Sequence, residues 1–309
     1  MRTFWIRAVL FVLGLVALDA LIGAAVPRLL ARSQADRRFG ALVHDRIRAQ
    51  TLVIGSSRAA RDVLASALPP TAFNLGYPGS NVEFHQLLVA FLLEHDPELQ
   101  RVVWVLDDDQ ELKRSELGFR SDTLYGDVDD AEVRAVLIAR GELDPWYSVA
   151  SRAYCQRLGF QQLFKDWAQA GLGSELNRVL ADGSMPLAGK SASFAEILGS
   201  ESDGTSYRRE DEDPKLVAAF AETVRALAGR QIIFVFPPNL GAPKPGFEAR
   251  IRELGGPDSR YLSYADGTWG RSLFYDRAHL DQEGAVRFSA RLAQDLATVS
   301  SVPVREHVR

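Results

Sequence analysis

Cysteine is scarce in this sequence, because Cys155 is the single one among 309 residues. One thiol can neither form a disulfide within the chain nor build a cysteine-rich metal site. The 5 histidines are scattered, without the short spacing that zinc ligands show. We therefore expect no disulfide within the chain and no zinc site of the cysteine or histidine type.

A strong charge of either sign is also missing. The 36 basic and 40 acidic side chains give a formal net charge of −4. No stripe of lysine and arginine with interleaved aromatic residues is present, so we expect no nucleic-acid partner. Internal repeats and low-complexity tracts are absent as well. What remains is an ordinary globular composition, 47% hydrophobic and 25% charged, sufficient for one large domain or two small ones.

A long apolar run, Ala8–Val26, contains Asp19 as its only charged residue. About 20 apolar residues suffice to cross the hydrocarbon core of a membrane. A central charge would cost about 2.5–3.5 kcal/mol on an insertion scale, but Asp19 lies nearer the C-terminal end. A cleaved signal peptide is the alternative, yet the run is followed by no convincing small-x-small cleavage site and by no lipid-acceptor cysteine. We predict a tail over residues 1–7 and an uncleaved transmembrane anchor over residues 8–26.

Two indications of the anchor's orientation disagree. More arginines follow the run than precede it, which favours a cytoplasmic C-terminal domain. Arg2 and Arg7 come before it, and Arg28, Arg32, Arg37 and Arg38 come after it. Short N-terminal tails before large exported domains are nevertheless common, and we expect the domain outside the cytoplasm. Residues 27–50, which are polar and rich in arginine, are predicted to be a juxtamembrane helix or linker.

From residue 51 onward, short apolar segments alternate with helical patterns. The apolar segments predict strands at residues 51–54, 72–75, 101–106, 231–236 and 261–263. Helical spacing of apolar residues separates or follows them, as at residues 82–95, 215–228 and 282–296. This alternation predicts a three-layer, doubly wound α/β domain with a parallel sheet over residues 51–300, before a tail at 301–309. Residues 110–214 break the alternation and are predicted to be a largely helical insertion.

Two polar loops follow the first two predicted strands. Gly55-Ser56-Ser57 precedes residues 58–68, whose apolar residues have helical spacing. Free N–H groups at a helix start can stabilise negative charge beside a hydroxyl. The alternative is that one of these serines only caps the helix. Gly76–Asn81 is a glycine-rich loop after the second strand. Sites in such sheets form beyond the carboxyl ends of the strands, where we expect both loops.

A third loop, near the end of the chain, contains Asp276 and His279. Their spacing lets the carboxylate reach Nδ1 of the imidazole, which leaves Nε2 free to take a proton from a serine hydroxyl. By itself such a pair is more often a helix-capping aspartate beside a surface histidine. Together with the Gly-Ser-Ser turn and the glycine-rich loop, it indicates a Ser-His-Asp triad with a serine of that turn.

The three loops together resemble the motif blocks of the SGNH/GDSL hydrolase superfamily. Gly55-Ser56-Ser57 resembles the Gly-Asp-Ser block, which implies that Ser57 supplies both the nucleophile and an oxyanion donor. Asn74–Gly79 resembles the second block, which implies that Gly79 is the oxyanion-hole glycine. The aspartate and histidine of the third loop resemble the last block. The implied fold is the flavodoxin-like α/β sandwich of that superfamily.

The sequence departs from this family pattern at two places. Ser56 replaces the aspartate of the first block, a change associated with membrane-anchored, envelope-modifying members such as relatives of alginate O-acetylation and teichoic-acid D-alanylation proteins. The Gly-x-Asn-Asp block is absent, and Asp109 stands where its asparagine would fall. Because an ionised carboxylate would repel an oxyanion, we expect Asn81 to supply the missing donor. Arg58 is predicted to contact an anionic substrate, and the alternative is that it is solvated.

The resemblance implies acyl transfer through an acyl-enzyme, from an acylated polysaccharide, a cell-envelope glycan or a small ester to water or a sugar hydroxyl. It implies no metal ion and no dissociable cofactor. It also implies a single-pass protein of the bacterial inner membrane with a periplasmic domain that works beside a membrane-bound acyltransferase. The main alternative is a catalytically silent SGNH-fold protein that binds glycan or acts as a scaffold for that acyltransferase. A phosphate binder using residues 55–58 is a further alternative, but Gly-Ser-Ser-Arg matches no phosphate-loop fingerprint.

Overall fold

The computed structural model describes residues 1–33, 38–44, 46–69, 71–106, 108–113, 117–170, 178–191, 206–240 and 246–300. The chain divides into two compact units. Met1–Val43 and Ser121–Glu175 form the first, which we call the helical unit, and His44–Arg120 and Leu176–Arg309 form the second, the sheet unit. The stretch predicted as one insertion, 110–214, is shared between the two units.

The elements of the described residues are numbered along the chain. The helices are α1 (Arg2–Ser33), α2 (Arg38–Val43), α3 (Ser57–Asp62), α4 (Val82–His95), α5 (Ala131–Ala139), α6 (Pro145–Ala150), α7 (Arg152–Cys155), α8 (Arg157–Ala170), α9 (Pro214–Ala226), α10 (Phe247–Gly255) and α11 (Gln282–Ser300). The strands are β1 (Thr51–Gly55), β2 (Ala72–Asn74), β3 (Arg101–Val105), β4 (Gln231–Phe236) and β5 (Arg260–Ser263). Each strand falls within two residues of the segment that predicted it.

The five strands form one sheet of the sheet unit, in the order β2-β1-β3-β4-β5, and every neighbouring pair is parallel. This is the order of a doubly wound sheet, in which the chain steps outward from β1 in both directions and sites form where the direction changes. Every residue of β1 and β3 is buried, as expected when helices cover both faces. The predicted parallel α/β sheet is confirmed.

Alternate residues of the strands face different helices. Val103 of β3 and Ile233 of β4 belong to one apolar core with Phe288 of α11. Trp104, the next residue along β3, stacks on Phe220 of α9 with their ring centroids 4.6 Å apart. Full burial of one such side chain contributes about 1.5–3 kcal/mol, so both faces stabilise the edge from which the polar loops leave.

The helix after β1 is shorter than the sequence pattern predicts, because it ends at Asp62 and not near residue 68. The side-chain amide of Asn74, on the neighbouring strand, donates to the carbonyl oxygens of Ala59 and Val63 at 2.7 and 2.8 Å. These carbonyl groups would otherwise pair within a longer helix. A tertiary contact therefore overrides the helical pattern here.

The helical unit is organised around α1. Residues 2–26 of this helix are long and apolar enough to cross a membrane. The helix continues to Ser33, so the first part of the predicted linker is helical. Its large apolar side chains up to Leu21 are exposed, whereas Val26 is buried. Within this unit α1 packs against α7 and α8.

Candidate active site

The turn after β1 presents Ser57 at the carboxyl edge of the sheet. Gly55 has a φ of +137°, and a Cβ there would lie 2.3 Å from the carbonyl oxygen of Val105, so both the turn and the close approach to β3 require glycine. Ser56 is the N-cap of α3, and its Oγ accepts the N–H of Ser57. Because Ser56 is the capping serine, the hydroxyl of Ser57 is available for a different contact.

That contact is with His279. Nε2 of His279 lies 2.8 Å from Oγ of Ser57, and Nδ1 lies 2.8 Å from Oδ2 and 3.0 Å from Oδ1 of Asp276. A carboxylate only accepts hydrogen bonds, so Nδ1 carries the ring proton and Nε2 accepts from the serine hydroxyl. The structure thus brings together the three residues that the sequence predicted as a triad. His279 and Asp276 are 18% and 27% exposed, which keeps the group reachable from solvent.

The loop around Asp276 keeps this carboxylate ionised. Oδ1 accepts the backbone N–H groups of Ala278 and His279, both at 2.8 Å. Burial raises the pKa of Asp276, but the hydrogen bond and the attraction from His279, with the backbone donors, outweigh burial and hold it below its ordinary value. An ionised Asp276 fixes the orientation of the imidazole and favours the tautomer with a free Nε2.

Asp62, which the sequence analysis did not single out, connects α3, the helix that begins at Ser57, to the loop that carries His279. Its Oδ1 accepts the N–H of Leu280, the residue after His279, at 2.9 Å. The side chain is fully buried, and burial raises the pKa of Asp62 to about 7 against the opposing attraction of His279 and Arg58. The available signal in the sequence was a carboxylate placed among the apolar positions of a helical segment.

Lys190 is a second residue that the sequence analysis missed. Its Nζ donates to the carbonyl oxygen of Phe274 at 2.9 Å and also to Ser272 O and Asp281 Oδ2. Lys190 therefore holds both ends of the loop that carries the aspartate and histidine. It lies within the stretch predicted as an insertion, where no motif distinguishes it.

The predicted oxyanion residues lie in the loop after β2. Gly79 has a φ of +75°, and its carbonyl oxygen accepts the N–H of Gly118 at 2.8 Å. Asn81 is the N-cap of α4, where its Oδ1 accepts the N–H of Phe84 at 3.1 Å. The capping hydrogen bond uses only the oxygen of the Asn81 amide, and it fixes the orientation of the NH₂ group. Their oxyanion roles remain predictions.

Two other predicted positions have different outcomes. The guanidinium of Arg58 is 1% exposed, donates to the carbonyl oxygen of Pro238, and has its Nε 4.0 Å from Oδ2 of Asp62. These contacts give Arg58 a structural role inside the protein, and its predicted contact with substrate remains a prediction. The side chain of Asp109 lies outside the part of the chain that the structure describes.

Comparison with known proteins adds little to this geometry. No family model matches the chain, and no curated protein matches it either. A solved structure from Streptococcus pneumonia, whose description names platelet activating factor, is similar over 93% of this chain and 98% of its own, with 10% sequence identity and a TM-score of 0.37. A similarity of this degree carries no conclusion about activity, so the function rests on the residues themselves.

Proposed function

We propose that this chain is a membrane-anchored serine esterase or O-acyltransferase of the SGNH type. The observation that carries the proposal is the pair of 2.8 Å contacts that joins Ser57 Oγ to His279 Nε2, and His279 Nδ1 to Asp276. The three residues converge at the carboxyl edge of a parallel sheet, beside the end of β1, where the strand order changes direction. This is the position at which doubly wound sheets form their sites.

In the first half of the reaction, Oγ of Ser57 attacks the carbonyl carbon of an ester while Nε2 of His279 takes the hydroxyl proton. The new C–O bond moves one electron pair onto the carbonyl oxygen, which becomes the oxyanion. Asp276 stabilises the imidazolium that forms without taking its proton. Collapse of the tetrahedral intermediate expels the alcohol, which receives the proton from His279, and leaves the acyl group on Ser57.

In the second half, water or a sugar hydroxyl attacks the acyl-enzyme and His279 takes its proton. Collapse of the second intermediate returns the proton to Ser57 and releases an acid or a new ester. We assign the oxyanion donors to the backbone N–H of Ser57 and Gly79 and to the side-chain NH₂ of Asn81. At rest the N–H of Ser57 donates a hydrogen bond to Oγ of Ser56. When charge develops on the oxyanion, this N–H would donate to the oxyanion instead.

The substrate class and the location follow from the family resemblance and from α1. We assign the substrate to O-acylated polysaccharide or another cell-envelope glycan, and place α1 in the bacterial inner membrane with the catalytic domain in the periplasm. A membrane-bound acyltransferase is the partner that would supply or share the acyl group. A reporter that is active only in the cytoplasm, fused after Arg309, should be inactive, and strong reporter activity would reverse this orientation.

A catalytically silent glycan-binding or scaffold protein is the second candidate. The observation that favours it is the hydrogen bond from the N–H of Ser57 to Ser56 Oγ, since this bond occupies one expected oxyanion donor at rest. In that case the triad geometry would persist without an activated serine.

A fluorophosphonate probe separates the two candidates, because it labels only activated serine hydroxyls. We expect wild-type protein to be labelled and the Ser57→Ala and His279→Ala variants to remain unlabelled. Ser66→Ala, which removes an exposed serine from the same unit, is the matched control and should be labelled like wild type. A folded wild-type protein that resists the probe would favour the silent candidate.

A further inference from the structure

Asp19, the only charge in the apolar run of α1, has partners inside the helical unit. Its carboxylate accepts the backbone N–H groups of Arg152 and Ala153, both at 3.1 Å, and the hydroxyl of Ser151. It therefore occupies the N-terminus of α7 as a capping side chain does. A charge that would be costly beside lipid is paired with the backbone of another segment of the same chain.

A second contact fixes the same two helices. A Cβ at Gly23 would lie 2.5 Å from Cβ of Arg152, so the backbones of α1 and α7 approach closely at this point. Asp19 precedes Val26, the end of the apolar run, by almost two helical turns, which is about 10 Å along the axis. The start of α7 therefore lies beside a point of α1 that is about 10 Å before the end of the apolar run. The hydrocarbon core that this run would cross is about 30 Å thick.

The two helices that flank α7 carry large apolar side chains that the protein does not cover. We call these side chains the exposed apolar set. In α6 they are Trp146, Tyr147 and Val149, which are 74%, 55% and 88% exposed. In α8 they are Phe160, Phe164 and Trp167, which are 58%, 65% and 73% exposed. The three residues of α8 follow helical spacing and share one side of that helix. Exposed apolar groups of this extent mark a surface that contacts something other than water.

We propose that α6 and α8 lie in the interface of the membrane leaflet at the C-terminal end of α1, with the exposed apolar set in contact with lipid. This inference rests on the proposed membrane span. Asp19 and Gly23 hold α7 within the apolar length of α1, and α6 and α8 directly precede and follow α7. Their uncovered aromatic side chains are therefore within about 10 Å of the hydrocarbon boundary, the depth to which helices that lie in the plane of the membrane insert their apolar side.

The consequence is that the chain contacts the membrane twice. The span holds the chain, and the α6–α8 segment forms a second, in-plane contact that shields Asp19. The occupant of the exposed apolar set is thus one lipid leaflet. Cover by a second copy of the chain or by another protein is the competing outcome, and lipid-borne quenchers separate it from lipid.

The test places an environment-sensitive NBD fluorophore at single introduced cysteines in the full chain, reconstituted in vesicles of phosphatidylethanolamine and phosphatidylglycerol with brominated acyl chains. Cys155 is buried, so the unsubstituted chain serves as the labelling blank. Phe164→Cys reports on α8. Phe11→Cys, at an exposed position within the apolar run, reports on the span. Val286→Cys, at an exposed apolar position of α11 in the sheet unit, is the matched control.

We expect NBD at positions 11 and 164 to emit at shorter wavelength and to be quenched several-fold more by brominated lipid than NBD at position 286. Quenching at 11 without quenching at 164 would overturn this inference and leave the span intact. No quenching at 11 would overturn the span itself. Blue-shifted emission at 164 without quenching by brominated lipid would mean that protein covers this side of α8, and would also overturn the inference.

Asp19→Leu gives a second measurement, because it removes the carboxylate but keeps α1 apolar. We expect this variant to lose most of the quenching at position 164 and to keep that at position 11. Asp19→Asn retains an oxygen acceptor for the N–H groups of Arg152 and Ala153 and should restore the quenching. Equal quenching at 164 in wild type and Asp19→Leu would contradict the role given to Asp19 in setting the depth of α8.

Discussion

Among the described residues of the sheet unit, a serine, a histidine and a carboxylate meet in two groups, which differ in almost every other respect. In one, Ser57, His279 and Asp276 are joined by contacts of 2.8 Å, and the histidine and aspartate are 18% and 27% exposed. In the other, Nε2 of His85 lies 2.9 Å from Oγ of Ser80, while its Nδ1 is 3.9 Å from Glu111. All three residues of this second group are fully buried.

Burial decides what each histidine can do. It lowers the pKa of His85 to about 3, so this imidazole is too weakly basic to take a proton from a serine hydroxyl at neutral pH. Ser80 and the backbone of Tyr77 also contact the carbonyl oxygen of Gly55, at 3.4 and 3.0 Å. The buried group therefore ties the loop after β2 to the end of β1. A short serine–histidine distance alone does not define an active site.

The largest expected effect comes from removing Ser57 or His279 of the first group. Ser57→Ala and His279→Ala should each lower kcat for a small aryl ester by roughly 10⁶-fold, as in subtilisin, and the double variant should be little worse because the residues act as a unit. Ser80→Ala should instead lower the melting temperature and leave kcat nearly unchanged. Initial-rate measurements with all four variants test this, and additive losses or a fully active Ser57→Ala would refute the triad.

The next effect compares the two carboxylates. Asp276→Asn should lower kcat by about 10⁴-fold, because an amide favours the wrong tautomer of His279. Glu111→Gln should leave kcat nearly unchanged and act on stability, since Glu111 contacts a histidine that does no chemistry. Steady-state rates and thermal melting of both variants provide the measurement. A larger rate loss in Glu111→Gln than in Asp276→Asn would reverse the assignment of the two groups.

The sequence predicted the sheet and the meeting of its three loops because both depend on local patterns. Buried parallel strands are continuous apolar segments, and the carboxyl ends of such strands share one edge. The spacing of Asp276 and His279 also gave their mutual contact, which the geometry of a short loop constrains.

Contacts between distant segments could not be predicted in this way. Asp62 and Lys190 hold the loop that carries Asp276 and His279 mainly through its backbone atoms, and no sequence motif marks either residue. Arg58 shows the same limit from the other side. The alternative for this residue was a solvated side chain at the first turn of the helix, whereas its guanidinium lies inside the protein against Pro238. The partners of a long, flexible side chain depend on the finished fold.

A smaller effect sharpens the assignment of the oxyanion hole. Asn81→Ala should lower kcat by about 10²–10³-fold with little change in KM, because it removes a donor that acts in the transition state. Since Asn81 also caps α4, the same change should cost about 1 kcal/mol of stability. Asn81→Asp keeps the capping oxygen but loses the NH₂ group, so it separates the two roles.

Asn81→Asp should therefore have near-normal stability and the same low kcat as Asn81→Ala. Asp109→Ala should have a mild effect on kcat, since an ionised carboxylate cannot donate to an oxyanion. Steady-state kinetics and chemical denaturation measure the two quantities. An inactive Asp109→Ala beside a fully active Asn81→Ala would mean that Asp109, and not Asn81, completes the hole.

The smallest expected effect concerns Asp62, the buried carboxylate that contacts the loop carrying Asp276 and His279. Burial raises its pKa to about 7, whereas the pKa of an aspartate in the unfolded chain is about 3.9. Between these values the folded state holds the proton more firmly than the unfolded state. The stabilisation is complete below about pH 4 and is lost as the pH rises towards 7, with a slope of at most about 1.4 kcal/mol per pH unit for one proton.

Asp62→Asn should flatten this slope, because an amide does not titrate but keeps an oxygen acceptor for the N–H of Leu280. The free energy of unfolding, from urea titrations of the detergent-solubilised chain at several values between pH 4 and 7.5, measures it. Asp258→Asn, which removes an exposed carboxylate of the same unit, is the matched control and should keep the wild-type slope. If Asp62→Asn and wild type lose stability in parallel over this range, another group is responsible. The link between the nucleophile's helix and the histidine's loop would then be independent of the charge on Asp62.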